Sequence, residues 1–175
     1  CCRRAAARRP RVRRPRKPER EPVEADERSV RSAALALLAG REFARRELVQ
    51  RLLKRGHPAD LVASVVEALA AGHLLSESRF VEQFVRQHAG RGHGPARIRA
   101  ELRQRGVADD EIDVAIDTAG EDWMAHAREA RRRKFGVSPP GDYRERARQA
   151  RFLQYRGFST EQIRAALGPG DDIES

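Results

Sequence analysis

Apolar residues along the chain fall at helical spacings. Phe80, Val81, Phe84 and Val85 stand at i, i+1, i+4 and i+5, a stripe that an α-helix turns toward a partner. Val62, Val65, Val66 and Leu69, then Ile112, Ala115 and Ile116, then Ile163, Ala166 and Leu167 make three more such faces. Ahead of these three runs one short pattern is repeated: Leu52-Leu53-Lys54-Arg55-Gly56, Leu102-Arg103-Gln104-Arg105-Gly106 and Leu153-Gln154-Tyr155-Arg156-Gly157. Its glycines are 50 and 51 residues apart. Each word reads as a helix, a glycine C-cap and a new helix, because the left-handed cap conformation penalises a residue with a Cβ. Asp109 and Ser159 are suitable polar starters for the second helices, and Thr160-Glu161-Gln162 after Ser159 has capping-box character.

A further helix is predicted upstream of each turn, over about residues 26–39, 77–89 and 120–135. Gly90-Arg91-Gly92-His93-Gly94-Pro95 and Gly136-Val137-Ser138-Pro139-Pro140-Gly141 are then the turns that lead into the middle helices of the second and third units. Strands are not expected: Val, Ile and Thr make only 19 of 175 residues, and no alternating run or hairpin dipeptide occurs. The fold expected is all-α, three tandem three-helix repeats forming an elongated curved helical stack, since no unit covers its own apolar face. The units are placed at 26–72, 73–119 and 120–168, between a disordered basic tail at 1–25 and a short C-terminal tail at 169–175.

Charge changes this picture only at one end. The chain carries 36 Lys+Arg and 26 Asp+Glu, a net +10. Residues 1–20 hold ten of those bases and one acid, so they contribute +9 and the other 155 residues only +1. With Pro10, Pro15, Pro18 and Pro22 the tail is too polar and too broken to bury a core. The body must be judged by local patches rather than by its isoelectric point. Cys1 and Cys2 are adjacent and terminal, unable to cross-link the body or to complete a four-ligand zinc site. No apolar run approaches the roughly 20 residues of a membrane span. No apolar segment succeeds the basic start, so a secretory signal is not expected and a cytoplasmic protein is.

Chemistry of an enzymatic kind is not evident. The glycine-rich turn at 90–94 comes after a helix and lacks the Gly-Lys-Ser/Thr ending of a phosphate loop. His57, His73, His88, His93 and His126 show no i,i+4 pairing and read as surface or turn residues rather than metal ligands. Asp109, Asp110, Glu111 and Asp113 complement a helix N-terminus better than they make catalytic carboxylates. Trp123, Phe135, Phe152, Tyr155 and Phe158 have core-like spacings. No catalytic residue, metal or cofactor is therefore expected. The basic clusters remain: Arg97, Arg99, Arg103 and Arg105; Arg128, Arg131, Arg132, Arg133 and Lys134; Arg144, Arg148 and Arg151. The last three share a helix face, and such faces suit acidic protein grooves or phosphate backbones.

The repeated turns, with Leu74-Leu75-Ser76-Glu77-Ser78-Arg79-Phe80 and Gly94-Pro95-Ala96-Arg97-Ile98-Arg99-Ala100-Glu101-Leu102-Arg103-Gln104-Arg105-Gly106-Val107, resemble the RecX family of bacterial regulators of the recombinase RecA. The likeness covers about residues 29–167 and is most specific in the middle unit; Ser76-Glu77 departs mildly from the family's pattern there. It implies a cytoplasmic protein without catalysis that binds the RecA filament on single-stranded DNA and lowers its ATP hydrolysis and strand exchange, in recombination, repair and the SOS response. Neither the role of the tail nor the residues that grip RecA can be carried over from it, so the basic clusters are candidates on chemistry alone. They, and the tail, would also suit single- or double-stranded DNA; a monomer and no membrane partner are expected. The alternative is a helix-turn-helix-like DNA-binding module acting without RecA, against which stands the acidic start of the second helix at 109–113.

Overall fold

The computed structural model describes residues 26–168, so the tail at 1–25 and the residues after 168 lie outside the described residues. Those described form nine helices and no strand: α1 (Glu27–Leu38), α2 (Arg45–Lys54), α3 (Ala59–Ala71), α4 (Glu77–Gly90), α5 (Pro95–Gln104), α6 (Asp109–Thr118), α7 (Trp123–Phe135), α8 (Tyr143–Tyr155) and α9 (Thr160–Leu167). They form three consecutive three-helix units.

The boundaries are set by local chemistry. Asp26, Ser76, Asp122, Asp142 and Ser159 cap α1, α4, α7, α8 and α9, each side chain accepting from a backbone N–H of the first turn. At Ser159 the capping box is complete, because Gln162 also accepts from the Ser159 N–H at 2.9 Å. Pro95 opens α5 at a position where no N–H is needed. Asp109 is not the cap of α6: Ala108 stands there without a side-chain bond, and Asp109 begins the helix. Gly56, Gly106 and Gly157 all take positive φ, 89°, 85° and 88°, as the left-handed cap requires.

Each unit has its own core. Val30, Leu48, Leu52, Val62, Val66 and Leu69 fill the first; Phe80, Phe84, Ile98, Leu102, Ile112 and Ile116 the second; Ala127, Leu153, Phe158 and Leu167 the third. A fully buried Leu or Ile stabilises by about 1.5–3 kcal/mol, so the inward positions of the sequence stripes supply most of the driving force. The units are not isolated, for Ala44, just before α2, lies in the core of the second unit.

Two junctions join the units. At the first, Arg79 of α4 donates to Glu42 at 3.0 Å and the Arg45 N–H donates to Glu77 at 3.3 Å. The α5–α6 turn also rests on α2: a Cβ at Gly106 would lie 2.6 Å from Arg46 Cδ. At the second, the turn before α5 docks on the α8–α9 turn mainly backbone to backbone, with the Arg156 side chain also donating to the Arg91 carbonyl at 3.2 Å. The Gly94 N–H donates to the Arg156 carbonyl at 2.8 Å and the Ala96 N–H to the Gly157 carbonyl at 3.1 Å. A Cβ on Gly94 would stand 2.4 Å from the Gly157 carbonyl carbon, and one on Gly157 2.4 Å from the Arg97 nitrogen.

Candidate functional site

The basic residues singled out by the sequence do not form one surface. In the second unit they are largely consumed by neighbouring acids. Arg99 reaches Asp113 at 2.5 Å and Arg103 reaches Asp109 at 2.5 Å, so α5 and α6 neutralise each other across the glycine turn. Hydrogen bonding to Arg103 holds the Asp109 carboxyl below its ordinary range. The acids at the start of α6 thus serve its N-terminus and the arginines of α5 together. Arg97 is bonded to Glu101 at 2.9 Å. Arg105 donates to the Glu101 carbonyl at 2.7 Å and lies over the Phe84 ring at 4.6 Å.

The α7 cluster is divided. Arg131 turns inward: it is 8% exposed and donates to Gln149 at 2.8 Å and to the Ser138 carbonyl. Gln149 is itself buried and passes the network to Glu145 at 3.2 Å. Arg131 therefore ties α7 to α8 and to the turn between them. Its place among the surface candidates is corrected by this burial, since a guanidinium enclosed by its own chain is withdrawn from any partner. Arg132 and Arg133 share Glu129, at 2.7 and 2.8 Å, and hold its carboxyl below the usual range. Arg133 also donates to the Gly90 carbonyl at 3.2 Å across the second junction. Arg128 donates to the Ala165 carbonyl at 3.3 Å.

Helix α8 presents a different face. Arg144, Arg148 and Arg151 line one shallow concavity with Tyr143, which is 85% exposed. Arg148 lies 3.7 Å from Glu145 and 5.3 Å from the centre of the Phe135 ring. Among the described residues no carboxylate lies within 4 Å of the charged groups of Lys134, Arg144 or Arg151. Three guanidinium groups and an aromatic ring open to solvent are equipped to take phosphates or carboxylates, with the ring offering a stacking surface.

The aromatics of the third unit also divide. Phe158 is buried, and Phe135 meets Phe152 edge to face at 5.3 Å. Trp123 packs on the core of the second unit. Tyr155 does not take the core place its spacing suggested: it is 79% exposed, with Arg97 5.7 Å from its ring centre. Leu153 occupies the inward position, and two residues on the helix has turned about 200° away from it.

One constellation is not visible in the helical spacing of the sequence. His88, near the end of α4, and His93, in the next turn, bring their Nδ1 atoms to 3.1 Å, and Glu101 of α5 lies 3.3 Å from His88. Helical periodicity does not pair residues five apart; the turn that reverses the chain does. His88 is 8% exposed and stacks on Phe84 at 3.8 Å between ring centres. Burial pushes its pKa down to about 4; the neighbouring Glu101 opposes this, whereas His93, Arg91 and Arg105 add to it. The His93 pKa is lowered by burial and by Arg97. Burial alone would raise the Glu101 carboxyl, but the bond from Arg97 and the adjacent imidazoles outweigh it and bring it below the ordinary value.

Comparison with known proteins gives one consistent answer. Three family descriptions match in order: "RecX, first three-helix domain" over residues 31–69, "RecX, second three-helix domain" over 76–116 and "RecX, third three-helix domain" over 120–167. A protein called Regulatory protein RecX from Halorhodospira halophila is 55% identical over 144 residues, 82% of this chain and 89% of that one. Its namesake from Ectopseudomonas mendocina is 47% identical over 82% of this chain and 96% of its own. The crystal structure of RecX from Lactobacillus salivarius superposes with a TM-score of 0.64 at 19% identity, covering 80% of this chain and 93% of that one, which bears on the fold alone.

Proposed function

The chain belongs to the RecX family, and from that premise we propose that it is a non-catalytic regulator that binds the RecA filament on single-stranded DNA and lowers its ATP hydrolysis and strand exchange. The observation that carries this reading is the uncovered basic face of α8, Arg144, Arg148 and Arg151 beside the exposed Tyr143. A filament of protein on DNA offers phosphates and acidic side chains in one groove. Arg144 and Arg151, whose guanidinium groups have no acidic partner among the described residues, gain charge-assisted bonds there that they do not have in water, and Arg148, held only at 3.7 Å by Glu145, adds to them. Arg99 and Arg103 are already paired and gain less from the same encounter. The start of α6, with Asp109, Asp110 and Glu111 exposed, is repelled by phosphate and gives no support to a helix-turn-helix reader of bases. Among the described residues no helix is long and apolar enough to cross a membrane.

The test is RecA ATPase on single-stranded DNA with added protein. Arg144→Glu with Arg151→Glu is expected to keep native helicity and to weaken inhibition at least tenfold, about 1.4 kcal/mol of lost binding. Arg28→Glu with Arg31→Glu, exposed on α1, is expected to leave inhibition within about twofold, because surface charges distant from an interface contribute little. Full inhibition by the α8 variant removes that face from the mechanism. Equal loss in both variants makes the effect one of bulk charge.

A further inference from the structure

The cluster of His88, His93 and Glu101 takes no part in regulating RecA as proposed above, and its chemistry stands or falls independently of that role. One ligand atom from each of the three residues lies within 4.8 Å of the other two, and His93 Nδ1 stands 3.9 Å from Glu101 Oε1, the second oxygen of the carboxylate whose Oε2 faces His88. Ligands held at about 2.0–2.1 Å around a tetrahedral zinc ion stand about 3.3–3.4 Å apart. The 3.1 Å between the two Nδ1 atoms and the 3.3 Å from His88 to Glu101 Oε2 are close to that distance, and a small turn of the Glu101 carboxylate brings the same oxygen toward His93. We propose that His88, His93 and Glu101 form a three-ligand site for a divalent transition-metal ion of the zinc class.

Two imidazole nitrogens and one carboxylate oxygen favour zinc, cobalt or nickel over magnesium or calcium, which take oxygen ligands. The groups are held in place rather than merely near one another. Phe84 stacks on the His88 ring, and the His93 N–H donates to the His88 carbonyl at 3.0 Å, which fixes the turn. Arg97 binds Glu101 Oε1 and leaves Oε2 toward His88, the part that an outer-shell partner plays for a ligating carboxylate. Three protein ligands leave a fourth position for water.

The surroundings also limit affinity. Arg91, Arg97, Arg105 and Arg156 raise the local positive potential, as their depressing effect on the two histidines shows. The affinity expected is far weaker than that of a structural thiolate site. A bound ion joins the end of α4, the turn and α5. That same turn holds the third unit through the Gly94 and Ala96 amides, so the metal stiffens the second junction.

The site is tested by titrating zinc chloride into the full chain with Cys1→Ser and Cys2→Ser, which keeps the terminal thiols from competing, and by monitoring cobalt absorption bands in the same protein. One-to-one binding is expected. His93→Gln and Glu101→Gln, each checked for native helicity, are expected to weaken it at least tenfold, whereas His126→Gln leaves it unchanged. Zinc at a hundred times its dissociation constant should raise the folding equilibrium constant about a hundredfold in the parent and far less in His93→Gln. Absence of one-to-one binding, or parental affinity in a folded His93→Gln, overturns the assignment.

Discussion

Where the first unit meets the second, charged side chains cross the gap: Arg79 to Glu42, and Glu77 to the Arg45 amide. Where the second meets the third, two glycines bring backbone against backbone, and amides of one turn bond carbonyls of the next. The sequence pattern is nearly the same at both places, a glycine turn after Leu-x-x-Arg. The joints differ because a side chain, Arg46, lies under Gly106, whereas the peptide of Arg97 lies under Gly157. A side chain can swing aside and its charge can be screened; a peptide group can do neither. The first joint should therefore yield to salt and forgive substitution, and the second should resist salt and forbid it.

The largest effect is expected from a methyl group at the second joint. Gly157→Ala must move Arg97 by its backbone and hold φ near +88°, and Gly94→Ala must displace the Gly157 carbonyl. Each is expected to cost about 2–4 kcal/mol, read as a lowered midpoint in chemical denaturation. Gly106→Ala should cost only about 1–2 kcal/mol, the left-handed strain alone, because Arg46 can relocate. Equal losses at Gly106 and Gly157 would erase the distinction.

Acid should come next, and should act beside the second joint. The His88 pKa in the folded protein, about 4, lies below the unfolded value of roughly 6.5. The unfolded chain therefore binds the proton first, and stability falls as pH drops from about 6.5 toward 4. Between pH 7 and pH 5 the loss should be about 1–2 kcal/mol; Glu101, whose carboxyl is also held below its ordinary value, adds to the loss as the pH falls further. In His88→Gln this part of the pH dependence should vanish; a parental profile there would assign it to other groups.

The smallest effect is expected from salt. Arg79 and Glu42 are both partly exposed, and pairs of that kind contribute about 0.2–1 kcal/mol at low ionic strength. In roughly 1 M sodium chloride, where screening acts over about 3 Å, hydrogen exchange of the Arg45 amide should quicken several-fold while Gly94 and Ala96 stay protected. Parallel quickening at both sites would show that salt loosens the whole molecule.

The helices and their turns are legible in the sequence because their signals are local. Ser159 with Gln162, Pro95, and a glycine after Arg each state a boundary within four residues. The availability of a charge is not local. Arg99 and Asp113 are fourteen residues apart and meet only when α5 and α6 fold together, and Arg131 finds Gln149 eighteen residues on. A count of arginines therefore ranks the 128–134 cluster as high as α8, although one member is buried and two share Glu129. His88 and His93 look unrelated on a helical face, which pairs residues three or four apart, and their meeting depends on the reversal at Gly92, where φ is 77°.

The glycine turns also give the series a direction. Gly106 receives the start of α2 and Gly157 receives the start of α5, so each unit is a socket for the one before it. Among the described residues nothing lies within 4 Å of a Cβ placed on Gly56, the corresponding socket of the first unit. At the opposite end the start of α8 is a plug that meets no socket among the described residues, and there Tyr143 and Arg144 are exposed. The molecule has unlike ends, as a segment cut from a longer polymer would have. A groove that repeats along a filament is polar too, and a ligand that carries its own arrow can be accepted in one orientation and refused in the other.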